Sequence, residues 1–116
     1  MTFKMSTRQL DSVTVLDCSG RLVFGEEASA LRDNVKSLLE ENSNIVLNLA
    51  EVNYIDSGGL GTLVGLYTSA HKVGGNIKLA NLTKRVGDLL QVTKLVTVFE
   101  CYEGVDVAVR SFRGAA

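Results

Sequence analysis

The chain has 116 residues, enough to bury a core without disulfide or metal staples and short enough to predict one domain spanning 1–116. Hydrophobic residues make up 46% and charged residues 22%, the proportions of an ordinary globular protein. A formal net charge of -1 leaves neither a basic footprint for nucleic acid nor an acidic tail. No apolar run is long enough to span a bilayer, and the opening "MTFKMSTRQL" lacks the apolar segment of a signal peptide. No membrane association and a cytoplasmic location are expected. Cys18 and Cys101 form no CxxC and read as small buried thiols of a reducing compartment.

"MSTRQL" and "VTVLDCSG" flank the turn residues Asp11 and Ser12, which predicts an N-terminal hairpin. "RLVFG" then carries a short extended piece to Gly25. From Glu26 the spacing of Ala28, Leu31, Val35, Leu38 and Leu39 is helical, with Glu26 and Glu27 in the first turn where the helix dipole favours acids. That helix fades at "ENSN". The nearly continuous apolar run "IVLNL" predicts a central strand covered on both faces. Past Ser57, Leu60, Leu63, Val64, Tyr67 and Ala70 form a helical stripe that Gly74 and Gly75 terminate. "NIKLANL" is the next strand, Thr83 caps a short helix through Leu90, "LVTVFE" is a short edge piece, and Val105, Ala108, Val109 and Phe112 mark a last amphipathic helix. Strand–helix–strand–helix–strand implies right-handed crossovers between parallel neighbours. A small α/β domain with a mixed sheet is therefore predicted, with Val46, Leu47, Leu49, Leu63, Val64 and Leu79 in its core.

Ser57 lies in "NYIDSGGLG", where a strand ends and a helix begins. Asp56 is a good N-cap, and Ser57 then occupies an ordinary first helical position. The glycines can let the helix start approach the sheet closely. A nucleotide cradle fits poorly: Val64 replaces the third glycine of a GxGxxG, no ribose-binding acid stands in "LANL", and no Walker lysine follows. A nucleophile elbow fits no better, because Ile55 stands where GxSxG needs its first glycine. The sole histidine, His71, is on the same helix, roughly 20 Å away at about 1.5 Å per residue, too far to act as a base. It reads as a surface residue. No catalytic or metal-ligating set emerges, and no enzyme activity is expected. What remains is an ordinary structural helix start, which spacing alone favours, or a serine displayed to another protein.

Asp56-Ser57-Gly58-Gly59-Leu60-Gly61, between an apolar strand and an amphipathic helix, closely resembles the signature of the STAS domain, in its bacterial anti-sigma-factor-antagonist form. The resemblance extends over "GRL", "IVLNLAEVNYIDSGGLGTLV", "KVGGNIKLANLTKRVGDLL" and "LVTVFE". It implies a small STAS fold in which Ser57 is phosphorylated by a serine kinase that is itself the anti-sigma factor. The unphosphorylated form binds that kinase and frees the sigma factor; a metal-dependent serine phosphatase resets the switch. Asp56, Gly58, Gly59 and Gly61 would shape the presentation of Ser57, with Leu60, Thr62, Val23, Glu26 and Glu27 on the partner interface. Neither a cofactor nor a metal is implied, and the expected state is a monomer or weak homodimer. Gly58 departs from the second serine or threonine that many relatives carry. Val23 stands where the family often has an aspartate. The alternatives are a STAS scaffold subunit of a larger signalling assembly, a ligand-binding STAS module or, least favoured, a small serine hydrolase.

Overall fold

The computed structural model describes residues 3–113. Its elements in chain order are β1 (Lys4–Leu10), β2 (Val13–Leu22), α1 (Glu26–Leu39), β3 (Asn44–Ile55), α2 (Ser57–Lys72), β4 (Asn76–Ala80), α3 (Lys84–Val92), a 3₁₀ turn (Leu95–Thr97), β5 (Cys101–Tyr102) and α4 (Val105–Arg113). The sheet order is β1-β2-β3-β4-β5; only β1 and β2 are antiparallel. The predicted hairpin is present, with both turn residues at positive φ, Asp11 at 52° and Ser12 at 68°. Such a turn matches the right-handed twist of its strands. "IVLNL" and "NIKLA" are parallel neighbours as expected, with Leu47 opposite Leu79.

Because the sheet order follows the sequence, crossovers of one hand place their helices on one face. Accordingly Leu31 and Val35 of α1, Leu63, Leu66 and Ala70 of α2, and Val86 and Leu90 of α3 share one core with Leu16, Ile45, Leu47, Leu49 and Leu79. On the other face α4 lays Ala108 and Val109 on Val13, Val15, Val46 and Ala80. Lys78, only 6% exposed, projects beneath α4. Its Nζ donates to Ser111 Oγ at 2.8 Å, pairs with Glu100 at 3.2 Å and lies 4.3 Å from the Phe112 ring centre. Where α4 does not reach, Arg8 binds Asp17, Asn48 donates to Asp17 at 2.7 Å, and Asn81 donates to Asn48 at 3.0 Å.

Three expectations are corrected. "RLVFG" is not a separate extended piece: β2 runs unbroken to Leu22, absorbing its mismatch with β3 in irregularities between Asp17 and Ser19 and between Gly20 and Arg21. "LVTVFE" is not the edge strand. Lys94 turns left-handed at φ 67° to end α3, and the following residues coil so that Phe99 enters the core; Cys101–Tyr102 make the edge pairing instead. Val64 is half-buried, because the α2 stripe centres on Leu63, Leu66 and Ala70 and leaves it at the margin.

The two turns that carry the chain into β3 and β4 touch. Asn76 N donates to Ser43 O at 3.0 Å, and a Cβ on Gly75 would collide with the Ser43 backbone. A backbone atom cannot swing aside as a side chain can. Gly75→Ala should therefore cost about 1–3 kcal/mol in urea unfolding, the range for overpacking.

Candidate functional site

The site is assembled where β2 and β3 end side by side, with Leu22 opposite Ile55. Asp56 N donates to Leu22 O at 3.2 Å, which ties the two strand ends together. Asp56 is extended and is the N-cap of α2: its Oδ1 accepts from Gly59 N at 2.8 Å. The same carboxylate accepts from Phe24 N, 3.1 Å from each oxygen. One side chain thus caps α2 and holds the β2–α1 loop against its first turn. The Gly59 amide first, then that of Phe24, keep Asp56 below the usual carboxylate range, with the Arg21 charge adding to them.

The glycines have separate jobs. A Cβ on Gly59 would overlap Leu22 O, so α2 can start this close to β2 only with glycine there. A Cβ on Gly58 would stand 2.5 Å from Phe24 Cβ and 2.9 Å from Phe24 Cδ1. Phe24 therefore lies over the bare backbone of Gly58. Gly61 has open space beside it, and no packing contact requires a glycine there.

Ser57 is exposed on a ridge between two grooves. On the α1 side an opening of about 420 Å³ is lined by Phe24, Ala28, Arg32, Lys36, Gly61 and Leu66, with Ser57 and Gly58 at its edge. On the α3 side an opening of about 630 Å³ is lined by Tyr54, Asp56, Ser57, Arg85, Leu89 and Val92. Phe24 and Val92, each 79% exposed, are the most exposed of the large apolar side chains among the described residues. They stand on opposite sides of Ser57, one beside each groove.

The residues expected at the partner interface divide. Thr62 lines the α1-side groove, half-buried, with Oγ1 donating to Gly58 O at 3.0 Å. Leu60 is corrected: at 8% exposure it packs in the core under the first turn of α2 and presents no side chain to a partner. Val23 is half-buried and offers its carbonyl to Ala28 N at 3.1 Å; Glu26 is exposed and Glu27 half-buried. None of Val23, Glu26 and Glu27 lines the grooves beside Ser57. Phe24, Arg85 and Val92 were not singled out by sequence reasoning. A phenylalanine immediately before a loop glycine, outside any periodic pattern, was the available signal for the first.

Hydrolytic machinery has no support in the geometry. His71 sits at the far end of α2 with Nε2 3.1 Å from Asn76 Oδ1 and its ring 4.3 Å from that of Tyr67. Burial pushes the Cys18 thiol up to about 12 and raises that of Cys101, so neither is poised as a nucleophile. Among the described residues no cluster of His, Cys, Asp and Glu could hold a metal ion, and no helix is long and apolar enough to cross a membrane.

The double role of Asp56 gives a signed pH dependence. Its folded-state value is depressed, so its stabilisation is complete above the unfolded aspartate value of about 4 and is lost as pH falls through the depressed folded value. Asp56→Asn should melt at lower temperature than the wild type at pH 7. In thermal melts across pH 2–7, the difference should shrink only below about pH 4.

The geometry agrees with three comparisons. The STAS domain family profile matches residues 4–108. An anti-sigma-B factor antagonist of Bacillus subtilis is 36% identical over 73 residues, 63% of this chain and 67% of that protein. The chain spans just under two thirds of the length of other relatives of the same description, such as that of Staphylococcus epidermidis at 63%. A Thermotoga maritima crystal structure, described as a candidate anti-sigma factor antagonist, superposes with a TM-score of 0.87 at 26% identity over 94% of each chain. SpoIIAA, an anti-sigma factor antagonist, shares the fold in its unphosphorylated form at a TM-score of 0.80, with 18% identity over 96% of this chain and 97% of that one. Its phosphorylated form superposes at 0.73, with 16% identity over 94% and 99%. With a matching profile over most of its length and the fold to go with it, this chain belongs to the STAS domain family.

Proposed function

We propose that the chain is an anti-sigma-factor antagonist of the partner-switching type, a binding protein rather than an enzyme, working in the bacterial cytoplasm. The observation that carries this reading is the exposed Ser57 between two open grooves, with apolar Phe24 and Val92 on either side. The relatives described as anti-sigma-B factor antagonists and the two phosphorylation states of SpoIIAA support it. In the unphosphorylated state the surface receives an anti-sigma-factor serine kinase and thereby releases a sigma factor. That kinase phosphorylates Ser57, and a metal-dependent serine phosphatase reverses the modification.

Helix geometry explains why such a switch leaves the fold intact. A phosphate adds about -1.5 to -2 charges at neutral pH. At the first turn of α2 the dipole favours it by roughly 0.3–1 kcal/mol, and repulsion from Asp56 opposes it. Those terms are small and of opposite sign. At an interface the same anion must lose water, and without a facing cation that costs several kcal/mol.

Incubation with ATP and an anti-sigma-factor serine kinase that binds the chain should add one phosphate to the wild type and none to Ser57→Ala, read by intact mass. Phosphate on Ser57→Ala would sink the assignment. Matched phosphorylated and unmodified samples should melt within a few degrees of each other while kinase affinity drops about a hundredfold, equivalent to about 3 kcal/mol. A collapsed melt with unchanged affinity would make Ser57 a structural position only.

Phe24 should be an anchor of that interface, because its ring is exposed while its amide is fixed by Asp56. Phe24→Ala should weaken kinase binding by about tenfold or more, as truncation of an aromatic anchor does, with little change in the urea midpoint.

A further inference from the structure

Positive charge beside Ser57 is unevenly committed. On the α3 side, Ser57 and Arg85 line the same open groove of about 630 Å³. Arg85 also lines an adjoining opening with Arg21, Asn53, Tyr54 and Thr83. It therefore stands on the divide between the two. The carboxylates of this region are occupied. Asp56 accepts from the Gly59 and Phe24 amides, and Asp88 pairs with Lys84 at 2.9 Å. Arg21 lies 4.7 Å over the Tyr54 ring. Arg85 itself makes no ion pair or side-chain hydrogen bond among the described residues. On the α1 side, Arg32 already donates to Ser29 Oγ at 3.1 Å and has Asp33 at 3.8 Å, and Lys36, which lines the same groove without an ion pair among the described residues, offers a point charge and not a planar fork.

We infer that Arg85, supported by Arg21, is an internal clamp for a phosphate on Ser57. This rests on the proposed phosphorylation of Ser57 and adds to it a receptor within the same chain. Guanidinium presents a planar fork of donors that matches a phosphate's oxygens, and charge-assisted bonds of this kind are the strong ones. The phosphoryl group would be drawn toward α3 and across the groove that ends in the exposed Val92. The modified serine would then act by covering half of the docking surface as well as by repulsion.

The clamp can be tested without any kinase. Phosphoserine is installed at position 57 of the full chain during synthesis, and its second ionisation is followed by phosphorus NMR between pH 4.5 and 8. The titratable and charged groups around it are Asp56 at the cap of α2, Tyr54 from β3, Arg85 and Asp88 from α3 and Arg21 from β2 on one side, and Arg32 and Lys36 from α1 on the other. Each variant shares all of these groups except the one replaced, so the difference between two curves reads that residue's effect on the phosphate. The wild type should bind the proton about threefold more weakly than Arg85→Gln, a difference of about half a pH unit. Arg85→Lys should recover part of the difference, and Arg32→Gln should leave it intact. Coincident curves for wild type and Arg85→Gln would overturn the clamp, as would a shift in Arg32→Gln or Lys36→Gln equal to or larger than that in Arg85→Gln. Far-UV melts of each variant verify folding. Because the phosphate is installed chemically, failure here is distinct from failure of the kinase to modify Ser57.

Discussion

The carboxylate of Asp56 is the joint on which the functional end of the molecule turns. It accepts from the amide of Gly59 in its own helix and from the amide of Phe24 in a loop 32 residues earlier. Without the first bond, α2 begins with an unsatisfied donor; without the second, Phe24 loses the contact that fixes its backbone. Ser57 inherits its position from both. An acid before the serine is thus required for architectural reasons, whatever it contributes to charge.

The joint works only because backbones meet at close range. Gly59 lies against the carbonyl of Leu22, which also accepts from Asp56 N, so a single strand end receives both. Gly58 has no side chain because Phe24 lies where one would go. The bare backbone of Gly58 and the position of Phe24 are therefore one feature seen from two sides. A side chain at position 58 would compete with the ring for the same space.

The elements that could be read from sequence are those whose signal is local. Asp11-Ser12 is a turn by residue type, Thr83 caps α3 by accepting from Val86 N, and the stripe of α1 buries Ala28, Leu31 and Val35 as its spacing requires. What escaped was decided by tertiary contact. Whether Leu60 faced a partner or the core depended on how α2 was rotated against the sheet, and both orientations satisfy an apolar residue after "SGG". "LVTVFE" has the composition of a strand, yet Lys94 in a left-handed conformation turns the chain, and Phe99 is buried from a coil. That Ser57 and Arg85 line one groove follows from the pairing of β3 with β4, which no local pattern announces.

The parts of the site come from three different connections. Phe24 leaves the end of β2, Asp56 and Ser57 leave the end of β3, and Arg85 follows β4, all at the carboxyl ends of parallel strands. The packing that holds the strands, Leu16 against Leu47 and Leu79, lies behind them and contributes nothing to what a partner meets. Recognition can accordingly diverge one loop at a time while the scaffold stays constant. A chain only 18% identical that still superposes at a TM-score of 0.80 is what such a division of labour permits. It also makes the domain a natural frame for retargeting, since exchange of the "VFG" loop or the first turn of α3 would alter the surface on one side of the serine while leaving its presentation to the other connections.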